Sequence, residues 1–205
     1  MNEKIANILK GKIEDLVFVD KIAGLVRPIF VNVLNESNTK VQKVYPISCD
    51  VTLNECIEGR YQDLIPESKY KSIIYFEDNG TSMQYVDKNW VKFNSRLTLV
   101  CWMNIKKLGD CLNCTTSTSV LLSILAAFPE FPFNDVSYGP IRDVRITSFS
   151  EAVKSNSIFS KYTYDEKITQ YLLYPFDFFA LNMQVEYRVN LECVEQFNIG
   201  TPCIC

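Results

Sequence analysis

The longest regular pattern in the chain runs from Phe179 to Cys193 and repeats every two residues. Its apolar positions are Phe179, Leu181, Met183, Val185, Tyr187, Val189, Leu191 and Cys193. From Asn182 onward, the positions between them are polar or charged. This alternation predicts a β-strand with one buried face. At about 3.3 Å per residue the strand spans roughly 50 Å, so we expect a sheet that extends past its compact core or a β-hairpin arm.

A second long strand is predicted between residues 90 and 105. Its apolar positions are Val91, Phe93, Leu97, Leu99, Cys101, Met103 and Ile105, and the other parity is mainly polar. The two long strands match in length and pattern, so we expect them in one antiparallel sheet. Shorter strands are predicted at 16–19, 29–34, 41–53, 70–77, 83–86 and 141–149. Pro46 indicates an edge strand or a bulge. The sequence Asp78-Asn79-Gly80 predicts a hairpin turn, because Asn-Gly tolerates positive φ.

Helical spacing of apolar residues appears in three places. Residues 2–16 and 116–128 predict an N-terminal and a mid-chain helix, and the second ends before Pro129. A further helix is predicted at 165–174, with a helical turn within 150–163. Strands and helices do not alternate as in βαβ units. The fold class predicted is therefore α+β, with a mainly antiparallel sheet containing two long strands, flanked by the N-terminal and mid-chain helices. We expect one domain over 1–205, with extended loops at about 54–69 and 129–140 and a short C-terminal tail.

The composition is that of a globular chain without a charge bias. Of 205 residues, 47% are hydrophobic, and the net charge of −3 leaves no basic excess to drive nucleic-acid binding through phosphates. The first residues have no apolar core typical of a signal peptide, and the longest apolar runs are too short to cross a bilayer. We expect a soluble protein, made in a cytoplasm or carried in a particle assembled there, without a membrane or a sequence-specific nucleic-acid partner.

The absence of histidine argues against an enzyme. It removes the commonest general base, the commonest zinc ligand and the usual partner of a nucleophilic Ser or Cys. The chain contains neither GxGxxG nor GxxxxGK, and no calcium-binding loop of the DxDxDG type. The adjacent carboxylates Glu77-Asp78 and Asp165-Glu166 fall at predicted turn or helix starts, where turn chemistry and capping account for them. We therefore expect neither a catalytic site nor a cofactor.

Eight cysteines leave several alternatives open. Cys111-x-x-Cys114 and Cys203-x-Cys205 together could supply four thiolates to zinc. They could equally be free thiols in loops, or form a disulfide or redox pair. A thioredoxin-like motif is not indicated, because this CxxC lies outside a βαβ pattern. Cys49, Cys101 and Cys193 fall on apolar parities of predicted strands and are interpreted as small core residues.

Two further groups of residues have a structural and a functional interpretation. The aromatic residues Tyr162, Tyr164, Tyr171, Tyr174, Phe176, Phe178 and Phe179 can fill a core or lie at a subunit interface. The cations bordering the second long strand can be a solvated sheet face, or can contact nucleic acid or an acidic partner. These cations are Lys88, Lys92, Arg96, Lys106 and Lys107.

The order of elements resembles the phage tail-terminator and neck-ring (head–tail connector) proteins. The resemblance is carried by the stretches 2–16, 70–80, 90–105, 116–128 and 179–194. The usage of Asn, Tyr and Cys, with Lys favoured over Arg, resembles proteins of phages that infect gut Bacteroidetes, including crAss-like phages. The extended loops at 54–69 and 129–140 exceed those of a minimal terminator. No family motif is present, and no functional residue is transferred.

This resemblance implies a virion structural protein assembled in the cytoplasm of the host bacterium. Proteins of this kind form rings, commonly hexamers or dodecamers, at the head–tail junction, and DNA passes through the lumen. The implied partners are further copies of the chain and other phage neck, portal or tail proteins. The alternative hypothesis is a zinc- or thiol-dependent cytoplasmic protein that uses Cys111, Cys114, Cys203 and Cys205.

Overall fold

The protein has an α+β fold built on one six-stranded sheet. The computed structural model describes residues 1–34, 38–49, 63–109, 116–128, 132, 139–163 and 170–191, the side chains of 151, 152 and 156 excepted. Its strands are β1 (Lys21–Leu34), β2 (Lys40–Ser48), β3 (Ser72–Tyr85), β4 (Trp90–Asn104), β5 (Ile141–Val153) and β6 (Phe176–Asn190). Its helices are α1 (Asn2–Ile13), α2 (Ile105–Leu108) and α3 (Thr116–Ala127). Within these ranges no helix has the length and apolarity needed to cross a membrane.

The strands lie in the order β2-β1-β3-β4-β6-β5. All neighbours are antiparallel except β1 and β3, which run parallel. The two long strands, β4 and β6, pair along their whole length from Trp90↔Asn190 to Asn104↔Phe176. This confirms that both long alternating stretches belong to one antiparallel sheet. Apolar and polar residues alternate in both strands, so the apolar side chains of both lie on the same buried face of the sheet. A slip of one residue would move one strand's apolar side chains to the other face, and this fixes the register.

The sheet has two different faces, named here by what covers them. Helices α1 and α3 cover the helix-side face, where Ile5, Leu9 and Ile124 pack against residues such as Phe76 and Leu99. The loop-side face is covered near one end by connecting segments. Its core contains Ala23, Val26, Leu64, Ile73, Tyr75, Val100, Trp102, Phe159, Tyr162, Phe178 and Ala180. Burial on both faces at this end explains why residues 72–77 are buried without alternation.

Two hairpins extend beyond this doubly covered region. The first has no other described strand beside it, whereas the second remains joined to β6 through residues 91–95 of β4. Strand β1 pairs with β3 only as far as Val26↔Glu77, and from there it pairs with β2 alone among the described strands. We call residues 28–34 with 40–46 the first arm, and residues 81–85 with 91–95 the second arm. Because β1 and β3 are parallel, both arms point toward the same end of the sheet. All eight residues from Asp78 to Tyr85 are exposed.

The sequence predicted most elements and misplaced several boundaries. Helices α1 and α3 are confirmed, and Pro46 lies on the edge strand β2 as expected. No strand forms at 16–19, where the chain makes turns, and β1 begins at Lys21 rather than residue 29. The one-turn helix α2 was not predicted. Strand β5 continues to Val153, and the expected helical turn in 150–163 is a 3-10 turn at Asn156–Phe159.

The hairpin turn predicted at Asp78-Asn79-Gly80 is wrong. Strand β3 continues to Tyr85, with a register shift between Asp78 and Thr81 that marks a β-bulge. Gly80 adopts φ of 101°, and its backbone N–H donates to the Asp78 Oδ1 at 2.7 Å. The local signal for positive φ was therefore real, but it produces a bulge within a longer hairpin.

Some predictions fall partly or wholly outside the described residues. Most of the loops at 54–69 and 129–140 lie there, as do the C-terminal tail and residues 165–169 of the predicted helix. Within the described part of that helix, Gln170–Leu172 forms a 3-10 turn.

Candidate functional site

A partly buried polar cluster joins the start of α1 to the base of the second arm. The Asn2 side-chain amide donates to Asp78 Oδ1 at 2.9 Å and to Thr81 Oγ1 at 2.6 Å. The Ser95 hydroxyl donates to Asn2 Oδ1 at 2.6 Å and lies 3.3 Å from the Tyr187 hydroxyl. Burial raises the pKa of the Tyr187 phenol, which keeps it protonated near neutral pH. Every member has a partner, so the cluster fixes geometry and leaves no group available for chemistry.

The middle of the loop-side face contains a buried carboxylate. Glu77 is 7% exposed and accepts a 2.7 Å hydrogen bond from the Tyr162 hydroxyl. The Lys161 ammonium forms an ion pair with the other carboxylate oxygen. A charge buried in this way needs both partners to offset its desolvation. The sequence interpretation of Glu77-Asp78 as turn residues is therefore wrong, since Glu77 is a buried residue of β3 and Asp78 lies in the same strand, at the β-bulge.

An open cleft of about 250 Å³ lies beside Glu77. Its other polar lining residues include Thr98, Asn182, Ser157 and Ser160. The Thr98 hydroxyl donates to Asn182 Oδ1 and accepts from the Asn79 amide, each at 2.5 Å. Among the lining residues that the structure describes, Glu77 is paired with Lys161 and Thr98 with Asn182, and none of these four is an activated nucleophile or an unpaired general base. Its geometry supports a structural role.

The loop-side face becomes cationic toward the second arm. Lys92 lies directly opposite Arg188, and Arg188 lies directly opposite Arg142 on β5. Arg145 lies one row of opposed residues nearer the cleft, opposite Glu186, and Arg96 lies one row further still, opposite Gln184. Sequence analysis had identified Lys92 and Arg96, but Arg142, Arg145 and Arg188 lie far along the chain. Only the strand pairing brings the five cations together.

The two arms expose large apolar side chains on opposite faces of the sheet. On the first arm Phe30 and Leu34 are 62% and 63% exposed, and Phe30 pairs with Val44, which packs on the loop-side core. On the second arm Met83 and Tyr85 are 71% and 67% exposed. Met83 pairs with Phe93, which packs on the helix-side core. Exposed apolar residues grouped in this way are typical of interaction surfaces.

The cysteine candidates for zinc cannot be placed in this arrangement. Cys111, Cys114, Cys203 and Cys205, like Cys193, lie outside the described residues. The described part of the chain contains no group of three or more Cys, Asp or Glu side chains that could hold a metal ion. Cys101 is a buried core residue as predicted, and burial raises its pKa, whereas Cys49 is only half-buried.

The aromatic residues near the start of β6 mostly fill the core. Tyr162, Phe178 and Phe179 are buried, and the ring of Phe176 stacks on Trp102 with centroids 5.2 Å apart. Tyr174 is the exception at 68% exposure, and Tyr164 lies outside the described residues. The core interpretation therefore holds for most of this group.

Comparison with known proteins adds no relative to this picture. No model of a protein family matches the chain, and no curated protein matches it significantly.

Proposed function

We propose that the protein is a non-enzymatic virion subunit that assembles into a ring at a phage head–tail junction, as a tail terminator or neck connector. The observation that carries this proposal is the pair of extended arms with exposed apolar side chains on opposite faces of one sheet. The assignment to a phage particle comes from the order of helices and strands, which resembles that of phage tail-terminator and neck-ring proteins. The ring would contact other neck, portal or tail proteins above and below it.

The positions of the apolar residues favour a head-to-tail contact between copies. Phe30 and Leu34 belong to one face and arm, and Met83 and Tyr85 to the other. A contact in which one copy's first arm meets the next copy's second arm joins two different surfaces. Such heterologous contacts generate closed rings when the rotation between copies closes, whereas a two-fold dimer uses the same surface twice.

The edge of the second arm offers a further means of contact. Residues 81–85 pair with β4 on one side, and no described strand pairs with their other side. An exposed strand edge presents backbone N–H and C=O groups that can pair with a strand of another chain. A neighbouring copy could therefore extend the sheet while covering Met83 and Tyr85.

The proposal is tested by the mass of the purified protein in solution, followed by electron microscopy of any large species. A closed ring, formed by the protein alone or after mixing with portal or tail proteins, would support it. A small oligomer of fixed size that carries stoichiometric metal and never forms rings would contradict it. Loss of that metal on Cys111→Ser would then favour the zinc- or thiol-dependent alternative.

A further inference from the structure

We propose that the cationic part of the loop-side face contacts the phosphate backbone of duplex DNA without reading its sequence. This inference rests on the proposed ring, because it identifies the surface that would face the DNA in the lumen. We call this surface the cationic face. It consists of Lys92 and Arg96 on β4, Arg142 and Arg145 on β5, and Arg188 on β6.

The central row of this face places like charges side by side. Lys92, Arg188 and Arg142 occupy directly opposed positions on three neighbouring strands. Like charges directly opposite each other destabilise a sheet. Adjacent strands lie about 4.8 Å apart, so the three cationic side chains start within roughly 10 Å of one another, and the Arg142 guanidinium donates to the carbonyl oxygens of Gly139 and Ile141. An external anion would relieve this repulsion.

The carboxylates near the face neutralise it only in part. Glu186 pairs with Lys92 at 2.9 Å, and Asp143 lies 3.8 Å from Arg188. Five cations and two carboxylates leave an excess of three positive charges, whereas the whole chain has a net charge of −3. Arg96 and Arg145 are exposed and form no ion pair with any described residue. These two side chains are available to an anionic partner.

The residues between the cations suit a phosphate backbone. Asn94 and Gln184 supply amide donors on the same face, opposite or beside the charged positions, whereas the Ser82 hydroxyl already donates to the Asn94 carbonyl oxygen at 3.3 Å. At the outer end of the cationic face, the described residues include one aromatic side chain, that of Trp90, opposite Asn190. A single ring does not provide a platform on which successive bases of a single strand could stack.

The shape of the face favours duplex over single-stranded nucleic acid. The five cations lie on three paired strands of one sheet face, and contacts of Lys and Arg with phosphates carry no sequence information. Duplex DNA presents one negative charge per about 1.7 Å of its axis, so several phosphates can meet the face at once. The expected binding is therefore independent of sequence and sensitive to salt. The net charge of the whole chain, −3, gives no indication of this local excess of positive charge.

The test measures binding of a 30-base-pair duplex by fluorescence anisotropy across a salt series. It compares the wild type, Arg96→Gln/Arg145→Gln and the matched control Lys4→Gln/Lys10→Gln, which removes two cations from α1. We expect the face variant to bind at least tenfold more weakly at low salt. We also expect the slope of log affinity against log salt to become shallower by about 2, at roughly 0.9 per lost contact. The control should bind like the wild type.

Three results would overturn the inference. They are an absence of duplex binding by the wild type at low salt, equal weakening of both variants, and binding of an acidic polypeptide in place of DNA. The last result would assign the face to an acidic protein partner. Light scattering on the same samples separates this inference from the proposed function. If the protein forms rings that do not bind DNA, only this inference is contradicted. If the protein binds DNA through this face but forms no rings, the inference is supported and the proposed connector function is contradicted.

Discussion

The side-chain amide of Asn2 donates a 2.6 Å hydrogen bond to the hydroxyl of Thr81, 79 positions further along the chain. Asn2 is the first residue of α1, and Thr81 is the first residue of β3 after the bulge. Asp78 and Ser95 complete the cluster. The helix end and the bulge therefore fix each other, and this contact sets the direction in which the second arm leaves the core.

Removing the Asn2 amide should weaken the fold. Asn2→Ala removes the hydrogen bonds that the amide makes with Asp78, Thr81 and Ser95, although Ser95 keeps Tyr187 and Thr81 as partners. At about 0.5–1.5 kcal/mol for each lost bond, the cost is about 1–3 kcal/mol. We expect the free energy of unfolding, measured by urea denaturation, to fall by that amount. The control Lys4→Ala changes an exposed residue of the same helix and should shift the free energy by less than about 0.5 kcal/mol. Equal effects of the two substitutions would contradict the importance of the cluster.

The hydrogen bond from Tyr162 to Glu77 should also contribute measurably to stability. Tyr162→Phe keeps the ring but removes the donor, so a buried carboxylate loses one of its two partners. We expect a loss of about 1–3 kcal/mol in the free energy of unfolding. Tyr174→Phe removes a hydroxyl from a side chain that is 68% exposed and should have no measurable effect. A neutral result for Tyr162→Phe would show that Glu77 does not depend on this bond.

Stability should depend on pH through the buried thiol of Cys101. Burial raises the pKa of this thiol above its ordinary value of 9.0. As the pH rises past 9, the unfolded chain releases the proton while the folded chain retains it, so the free energy of unfolding falls. The fall approaches about 1.4 kcal/mol per pH unit. Cys101→Ala should show a shallower decline between pH 8 and 10 than the wild type, and identical declines would disprove the effect.

The sequence was most informative where one physical cause dominated. In β4 and β6 the alternation of apolar and polar residues predicted both strands and their antiparallel pairing, because one sheet face of each is buried along most of its length. The same rule missed residues 78–82 of β3 and predicted 83–86 as a separate strand, because all residues from Asp78 to Tyr85 are exposed and no burial pattern exists. The turn signal at Asn79-Gly80 then suggested an early end to the strand.

The candidate surfaces were harder to predict than the strands. The cationic face combines residues from β4, β5 and β6, and its charge excess depends on the register that places Arg142 beside Arg188. Glu77 follows an apolar run and precedes turn residues, so its burial depends on Tyr162 and Lys161 from a distant segment. These relationships come from long-range pairing, which local patterns do not encode.

The central claim, that the arms join copies into a ring, is tested most directly by light scattering and electron microscopy of Met83→Ser/Tyr85→Ser. Both side chains are exposed, so the variant should keep the melting temperature of the wild type. We predict that the wild type forms rings, alone or with portal or tail proteins, and that the variant stays monomeric under the same conditions. The control Val17→Ser, at an exposed apolar residue outside the arms, should assemble normally. A variant that forms rings as readily as the wild type, or a wild type that never forms them, would contradict the claim.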